Sequence, residues 1–157
     1  MAESSSTSSE LMGLLLMACG TMVEKLQNKL REVGFDDVRP QHGFTFQLLS
    51  FGGANVNEIA EHLGVTKQAA SQMLEYLEQR GYIMRHPDER DGRSKIVMLT
   101  NRGWDCIKHT EAILTQLETE WNNYLGQERM SQLQIDLRSL ILKANNGSYP
   151  RRLRPGW

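Results

Sequence analysis

Apolar residues repeat along this chain with periods that change from block to block. Leu15, Cys19, Met22, Leu26, Leu30 and Val33 recur at steps of three and four, near-heptad spacing for a helix that ends at Gly34. Its first part, Leu11–Cys19, is apolar on more than one face, so it has two surfaces to bury. Glu3 and Glu10 stand where a secretory leader carries positive charge, and the run is too short to span a bilayer. It therefore reads as the start of the helix. After a connection over Phe35–Pro40, a short helix is expected from Gln41 to about Phe51, with Phe44, Leu48 and Leu49 inward. Gly52–Asn55 breaks it.

The next pattern is the most specific one. Ile59, Ala60 and Leu63 share one helical face, and Gly64 follows where a chain reversal needs positive φ. Thr66 is a good N-cap for a second helix with Ala69, Ala70, Met73, Leu74 and Leu77 on its buried side. Ala60 and Ala70 are small where two crossing helices approach closely. This is the pattern of a helix-turn-helix. Beyond Gly81 the signal changes to β: Tyr82–Arg85 and Lys95–Leu99 are strand-like. Between them Pro87–Arg93 reads as a turn with Asp91-Gly92 near its tip. Thr100 then caps a long helix to about Leu125, with a stripe of Ile107, Leu114, Leu117, Trp121 and Leu125. Past Gly126 a last helix carries Met130, Leu133, Leu137, Leu140 and Ile141 to about Ala144.

The expected fold class is mainly α with a small β-hairpin wing, a winged helix-turn-helix flanked by N- and C-terminal dimerisation helices. Residues 1–9 form a serine-rich, disordered tail; 10–40 hold the N-terminal dimerisation helix and connection; 41–100 form the winged unit; 101–157 hold the C-terminal helices and a tail with Arg151, Arg152 and Arg154. One small winged unit cannot bury the stripes of all the long helices outside it, so a homodimer is expected. The competing arrangement is a monomeric helical bundle.

The outward side of the second helix carries Thr66, Lys67, Gln68, Ser71, Gln72 and Glu75; apart from Glu75, these side chains suit base edges and phosphates. Gln68 and Gln72 are the candidates for base edges, and Thr66, Lys67 and Ser71 for phosphate or mixed contacts. A hairpin tip bearing Arg90 and Arg93 suits the narrow, electronegative minor groove. Asp88 is placed to hold Arg90 extended, and Arg93 to pair locally or hold phosphate. Against this stands a formal net charge of -1. Within 56–100 the cations Lys67, Arg80, Arg85, Arg90, Arg93 and Lys95 face Glu58, Glu61, Glu75, Glu78, Asp88, Glu89 and Asp91. Charge alone does not advertise nucleic acid. A winged module that binds protein and not DNA is the alternative.

These residues resemble the MarR family of bacterial transcription regulators. Asp88-Glu89-Arg90-Asp91-Gly92-Arg93 matches that family's wing motif, Asp-x-Arg-[Asp/Asn]-x-Arg, and Leu99–Gly103 resembles the start of its long dimerisation helix. The similarity extends more weakly over about Leu11 to Lys143. The resemblance implies a homodimeric, cytoplasmic repressor that reads a pseudo-palindromic operator in double-stranded DNA. It also implies a small aromatic effector bound between the dimer helices and the DNA-binding lobes, for which Met17, His42, Phe46 and Trp104 are the candidate pocket residues; the competing reading of each is core. No enzyme is expected: no nucleophile–base pair, phosphate-binding glycine loop or metal-ligand spacing is evident, and no cofactor or membrane is implied. Cys19 and Cys106 are far apart and read as small apolar residues in a reducing compartment.

Overall fold

The computed structural model describes residues 10–89 and 91–149. The chain folds as α1 (Glu10–Glu32), α2 (Pro40–Ser50), α3 (Val56–Leu63), α4 (Lys67–Gln79), β1 (Ile83–Pro87), β2 (Lys95–Leu99), α5 (Asn101–Leu125) and α6 (Gln127–Ala144). The expected mainly helical winged fold is what forms. The serine-rich tail, Arg90 and the arginines at 151, 152 and 154 lie outside the described residues.

Local chemistry sets the boundaries of the helix-turn-helix. Asn55 caps α3 by accepting from the N–H groups of Asn57 (2.9 Å) and Glu58 (3.0 Å), while Glu58 Oε2 accepts from Asn55 N–H at 2.8 Å. That is a reciprocal capping box, which satisfies orphan donors at both ends of the exchange. Gly64 closes α3 at φ 65°, in the left-handed region that a side chain disfavours. Two residues later Thr66 caps α4, its hydroxyl accepting from Ala69 N–H at 3.1 Å. Ala60 and Ala70 are both buried, as their size requires where α3 packs on α4. Ala69 is exposed, so the buried side of α4 is narrower than its apolar residues suggest.

The hairpin pairs Ile83 with Leu99, Arg85 with Val97 and Pro87 with Lys95. Strand pairing thus runs through Pro87, which was expected to open the turn. Ala54 joins the sheet as a single antiparallel bridge to Val97, through N···O distances of 3.1 and 2.9 Å. This clamps the segment before α3 to the base of the wing.

One core unites the lobe: Ile59, Leu63, Leu74, Leu77, Tyr82, Ile83, Val97 and Leu99 are continuous with Phe46 and Leu49 of α2 and with Leu30, Cys106, Ile113 and Leu117 of α1 and α5. On α2 the fully buried residues are His42, Thr45, Phe46 and Leu49, whereas Phe44 and Leu48 are only half-buried. The inward face of α2 is therefore rotated from the expected one. The long helices are covered on one side only. α6 buries no residue, and Leu11, Met12, Leu14, Leu15, Leu16 and Met17 of α1 are all exposed. Cys19 is exposed as well, a correction to its reading as a buried apolar residue.

Candidate nucleic-acid interface

The outer surface of α4 is ordered by helical spacing. Gln68 and Gln72, one turn apart, are both exposed and form its outermost ridge. Lys67 and Ser71 lie to one side and line a cleft of about 400 Å³ between α4, the start of α3 and the wing. On the other side Ala69, Met73 and Tyr76 line a second cleft, about 510 Å³, against α2. Thr66 is exposed, but its hydroxyl is engaged in capping α4.

The wing tip is closed by backbone bonds: Asp88 N–H donates to Ser94 O (2.9 Å) and Ser94 N–H to Asp91 O (2.8 Å). Arg93 is exposed, lines the wing-side cleft, and donates its backbone N–H to Asp91 Oδ1 at 3.1 Å. Asp88 is half-buried at the root of the tip. Of the expected contact set, Lys67, Ser71 and Arg93 share one cleft, with Gln68 and Gln72 on the adjoining ridge. The role expected of Arg90 falls on a residue outside those described.

Arg85 and Lys95, which the sequence pattern alone does not single out as contacts, also line the wing-side cleft. The signal was strand alternation: both sit on the face of the hairpin that carries Ile83, Val97 and Leu99 nearer its base. Along that face the side chains change from apolar to cationic towards the tip. Of the acids that balance the local charge, Glu58 is engaged in the cap of α3, whereas Glu78 lies 3.3 Å from Arg85 and offsets part of the cleft's own charge.

The four candidate effector residues do not come together. His42 lines the α2–α4 cleft, its ring 5.2 Å from that of Tyr76. Phe46 is buried, with its ring 5.6 Å from Tyr82. Met17 and Trp104 are exposed on α1 and α5, because the buried face of α5 passes through Gly103, Cys106 and Ile113 instead. His42 Nδ1 accepts from Arg39 N–H at 3.0 Å, which requires that nitrogen to be unprotonated. Burial, reinforced by the positive charge of Arg39, lowers its pKa to about 4. Burial also pushes the Cys106 thiol up to about 11, which suppresses its thiolate chemistry. Among the described residues no group of three or more His, Cys, Asp or Glu is arranged to hold a metal ion. No helix among them is long and apolar enough to cross a membrane.

Residues 39–94, from the connection before α2 to the end of the wing tip, match a family model described as MarR family. That segment, about a third of the chain, is similar to the MarR family. Among curated relatives, the chain is 29% identical over 120 residues to the HTH-type transcriptional regulator PapX of Escherichia coli, covering 73% of each. It is 27% identical over 96 residues to the transcriptional activatory protein BadR of Rhodopseudomonas palustris, covering 60% of this chain and 53% of BadR. The chain thus spans only about half the length of that relative. Among solved structures it is similar to the transcriptional repressor CouR bound to a DNA duplex, with 27% identity and a TM-score of 0.68, covering 89% of this chain and 99% of CouR.

Proposed function

We propose that this chain is a MarR-family protein, a homodimeric transcription regulator that binds DNA sequence-specifically. The carrying observation is the exposed Gln68–Gln72 ridge on α4, with a cation-lined cleft and the wing immediately beside it. A helix presenting amide side chains along one ridge fits the major groove, where Gln pairs with the N6/N7 edge of adenine. The wing then reaches the flanking minor groove with Arg90, and Arg93 stays near the backbone. The relatives' names, transcription regulators in each case, support the reading, as does the fold shared with a repressor in complex with DNA.

The homodimer is proposed from α1 and α6, whose apolar side chains Leu15, Leu16, Leu140 and Ile141 are exposed in the single chain. A second copy of the same helices is the natural cover, and two α4 helices related by a two-fold axis would read a pseudo-palindrome. Repression by occupancy is the simplest outcome. In the same reading an aromatic effector would enter the α2–α4 cleft, whose walls include His42, Met73 and Tyr76, and would press directly on α4.

Selection of bound molecules from random duplex DNA tests the proposal. Enrichment of one inverted-repeat sequence, with affinity that falls steeply as salt rises, is expected. Retention of a protein partner with no enrichment of any DNA sequence would instead establish the winged module as a protein-binding one.

A further inference from the structure

The outward face of the hairpin carries an uncommon set of side chains. Met84 and His86 alternate with the inward Ile83 and Arg85 along β1, and Met98 stands directly across from Met84 on β2. The solvent side of a ribbon is where polar or β-branched residues are expected. Here it holds two exposed thioethers, Met84 at 39% and Met98 at 44%, and the exposed imidazole of His86. His86 Nε2 lies 3.0 Å from Met84 Sδ. That is tighter than the 3.6 Å between Thr45 Oγ1 and Met73 Sδ elsewhere in the lobe. Two atoms able to donate lone pairs thus sit side by side at the surface.

Met98 is placed to add a third donor. Directly paired residues on one face of an antiparallel ribbon hold their Cβ atoms about 4.5–5.5 Å apart, within reach of a thioether. The stem of Met98 is backed by the loop after α2: a Cβ at Gly53 would run into the Ile96 side chain and lie 3.3 Å from Met98 Cγ. The Ala54–Val97 bridge fixes that loop against β2. The donors identify the chemistry of what they would hold. The outward residues of the paired strands, Met84, His86, Ile96 and Met98, include no carboxylate and no thiolate. Hard divalent ions take oxygen ligands, and Zn(II) takes thiolate, imidazole and carboxylate. Thioethers with an imidazole, all uncharged, suit a soft ion of low charge.

We infer that Met84, His86 and Met98 form a site for a soft monovalent metal ion, Cu(I), on the outward face of the wing. Nε2 binds the ion as the neutral imidazole, with the ring proton on Nδ1. The two thioether sulfurs complete a three-coordinate set. Metal–ligand bonds of about 2.0–2.3 Å let one ion touch Nε2 and Sδ after a small opening of their contact. Met84 and His86 come from β1 and Met98 from β2, so the ion staples the two strands together and stiffens the wing. The site lies on the face of the hairpin opposite the wing-side cleft, and it does not depend on the DNA-binding reading.

The test titrates the full-length protein anaerobically with Cu(I) supplied as its bicinchoninate complex, and with Ag(I) as a second probe that needs no reductant. Cys19 is exposed and its thiol also takes such ions, so the titrations are run on Cys19→Ser beside the wild type. Cys19→Ser is expected to bind one ion per chain, with shifts of the Met84 and Met98 methyl resonances and of the His86 ring, and with a raised thermal midpoint. In that background Met84→Leu, Met98→Leu and His86→Gln change exposed side chains with little change of volume, so the fold is kept. Each should weaken binding at least about tenfold, the scale on which even the loss of an outer-shell partner shows. Equimolar Zn(II) should not displace the bound Cu(I). Loss of all uptake in Cys19→Ser, uptake unchanged by the three substitutions, resonance shifts confined to other methionines, or displacement by Zn(II) overturns the site. None of these measurements involves DNA, so their failure leaves the regulator reading standing, and failure of that reading leaves the site testable.

Discussion

Tyr82 donates its hydroxyl proton to Asp37 Oδ1 at 2.5 Å, across 45 residues of sequence. The bond joins the base of the wing to the connection between α1 and α2. Around it, Tyr76 at the end of α4 donates to Asp37 O (2.8 Å), and Arg102 in the first turn of α5 donates to the Tyr82 hydroxyl (3.0 Å). Arg80 lies 3.5 Å from Asp37 Oδ2 and its guanidinium stacks 3.6 Å over the Tyr76 ring. Asp37 thus ties the C-terminal end of α4 and the base of the wing to the connection after α1, with Arg102 of α5 held against the same cluster.

Tyr82→Phe removes this link while preserving the buried ring. It leaves Asp37 with weaker partners, so a stability loss of about 1–3 kcal/mol is expected in urea titrations at neutral pH. The Tyr82 pKa is raised, first by burial and then by the Asp37 hydrogen bond. A raised folded-state pKa means the native state holds its proton longer than the unfolded chain, whose tyrosine titrates near about 10. Stability from this source is therefore complete below that pH and is lost as pH climbs above it. The wild type should lose stability between pH 10 and 11 more steeply than Tyr82→Phe; identical alkaline slopes would refute the assignment.

His42 gives the opposite pH signature. Its folded-state pKa, lowered to about 4, lies below the ordinary value of 6.5. Between these values the unfolded chain binds a proton that the native ring refuses, so stability rises with pH across the window. It is complete above about pH 6.5 and lost progressively as pH falls towards 4, by up to about 3 kcal/mol. Protonating Nδ1 also removes the acceptor for Arg39 N–H at the start of α2. Denaturation midpoints measured from pH 7.5 to 4.5 should fall in the wild type and fall less in His42→Gln. Equal falls in both would place the acid sensitivity elsewhere.

Gly103 is buried in the first turn of α5, and a Cβ built there would run into Tyr82 O and the Leu99 side chain. Helix propensity favours alanine over glycine by up to about 1 kcal/mol. Here the obstacle is a backbone carbonyl fixed at the base of the wing, so overpacking outweighs propensity. Gly103→Ala is expected to destabilise by about 1–3 kcal/mol. A thermal midpoint equal to or above that of the wild type would show that the wing and α5 can separate to admit a methyl group.

The elements that were legible in the sequence are those with local signals. Thr66 and Thr100 cap their helices, Gly64 takes the left-handed conformation, and Lys95–Leu99 pairs as a strand. The Asn55–Glu58 capping box also has a local signature, Asn-x-x-Glu, which the reading of Gly52–Asn55 as a simple break passed over. The face of α2 was not legible, because apolar residues occupy several of its sides and tertiary contacts choose Thr45 and Phe46 over Phe44 and Leu48. On α5 Leu117 of the expected stripe is buried, together with Cys106 and Ile113 beside it, while Ile107, Leu114, Trp121 and Leu125 are half-buried. The Ala54–Val97 bridge and the Tyr82–Asp37 bond join distant segments and leave no periodic trace. In the candidate site, the α4 ridge followed from helical spacing. Arg85 was obscured because its meaning depends on the hairpin register.

The dimer has its own measurement. Leu15 is 44% exposed on the apolar first half of α1, where a charge is harmless to an isolated chain and costly in a dry interface. Leu15→Asp is expected to shift the protein from dimer towards monomer in sedimentation at micromolar concentration, and to weaken DNA binding at least tenfold, since one half-site is then read alone. A wild type that sediments as a stable folded monomer removes the proposed dimer.

Helix and wing should fail differently when each is cut back. Gln68→Ala removes an exposed amide from the α4 ridge, and with it a bidentate contact to one base. It should cost about 1–3 kcal/mol and relax preference at one position per half-site, with the salt slope unchanged because no charge is lost. Arg90→Ala removes a cation from the wing. The minor groove has a degenerate base code but a width that depends on sequence, so binding to many duplexes should weaken, most of all where the flanks are A/T-rich. The salt slope should also become shallower by about one unit per lost contact, twice that for a symmetric dimer. Asp88 is half-buried at the root of the tip; in the proposed reading its carboxylate orients Arg90, so Asp88→Ala should reproduce part of the Arg90 defect. Affinities on matched and flank-altered duplexes at several salt concentrations separate these effects. If Arg90→Ala leaves both affinity and slope untouched, the tip of the wing does not contact DNA, and recognition rests on α4 and the cleft beside it.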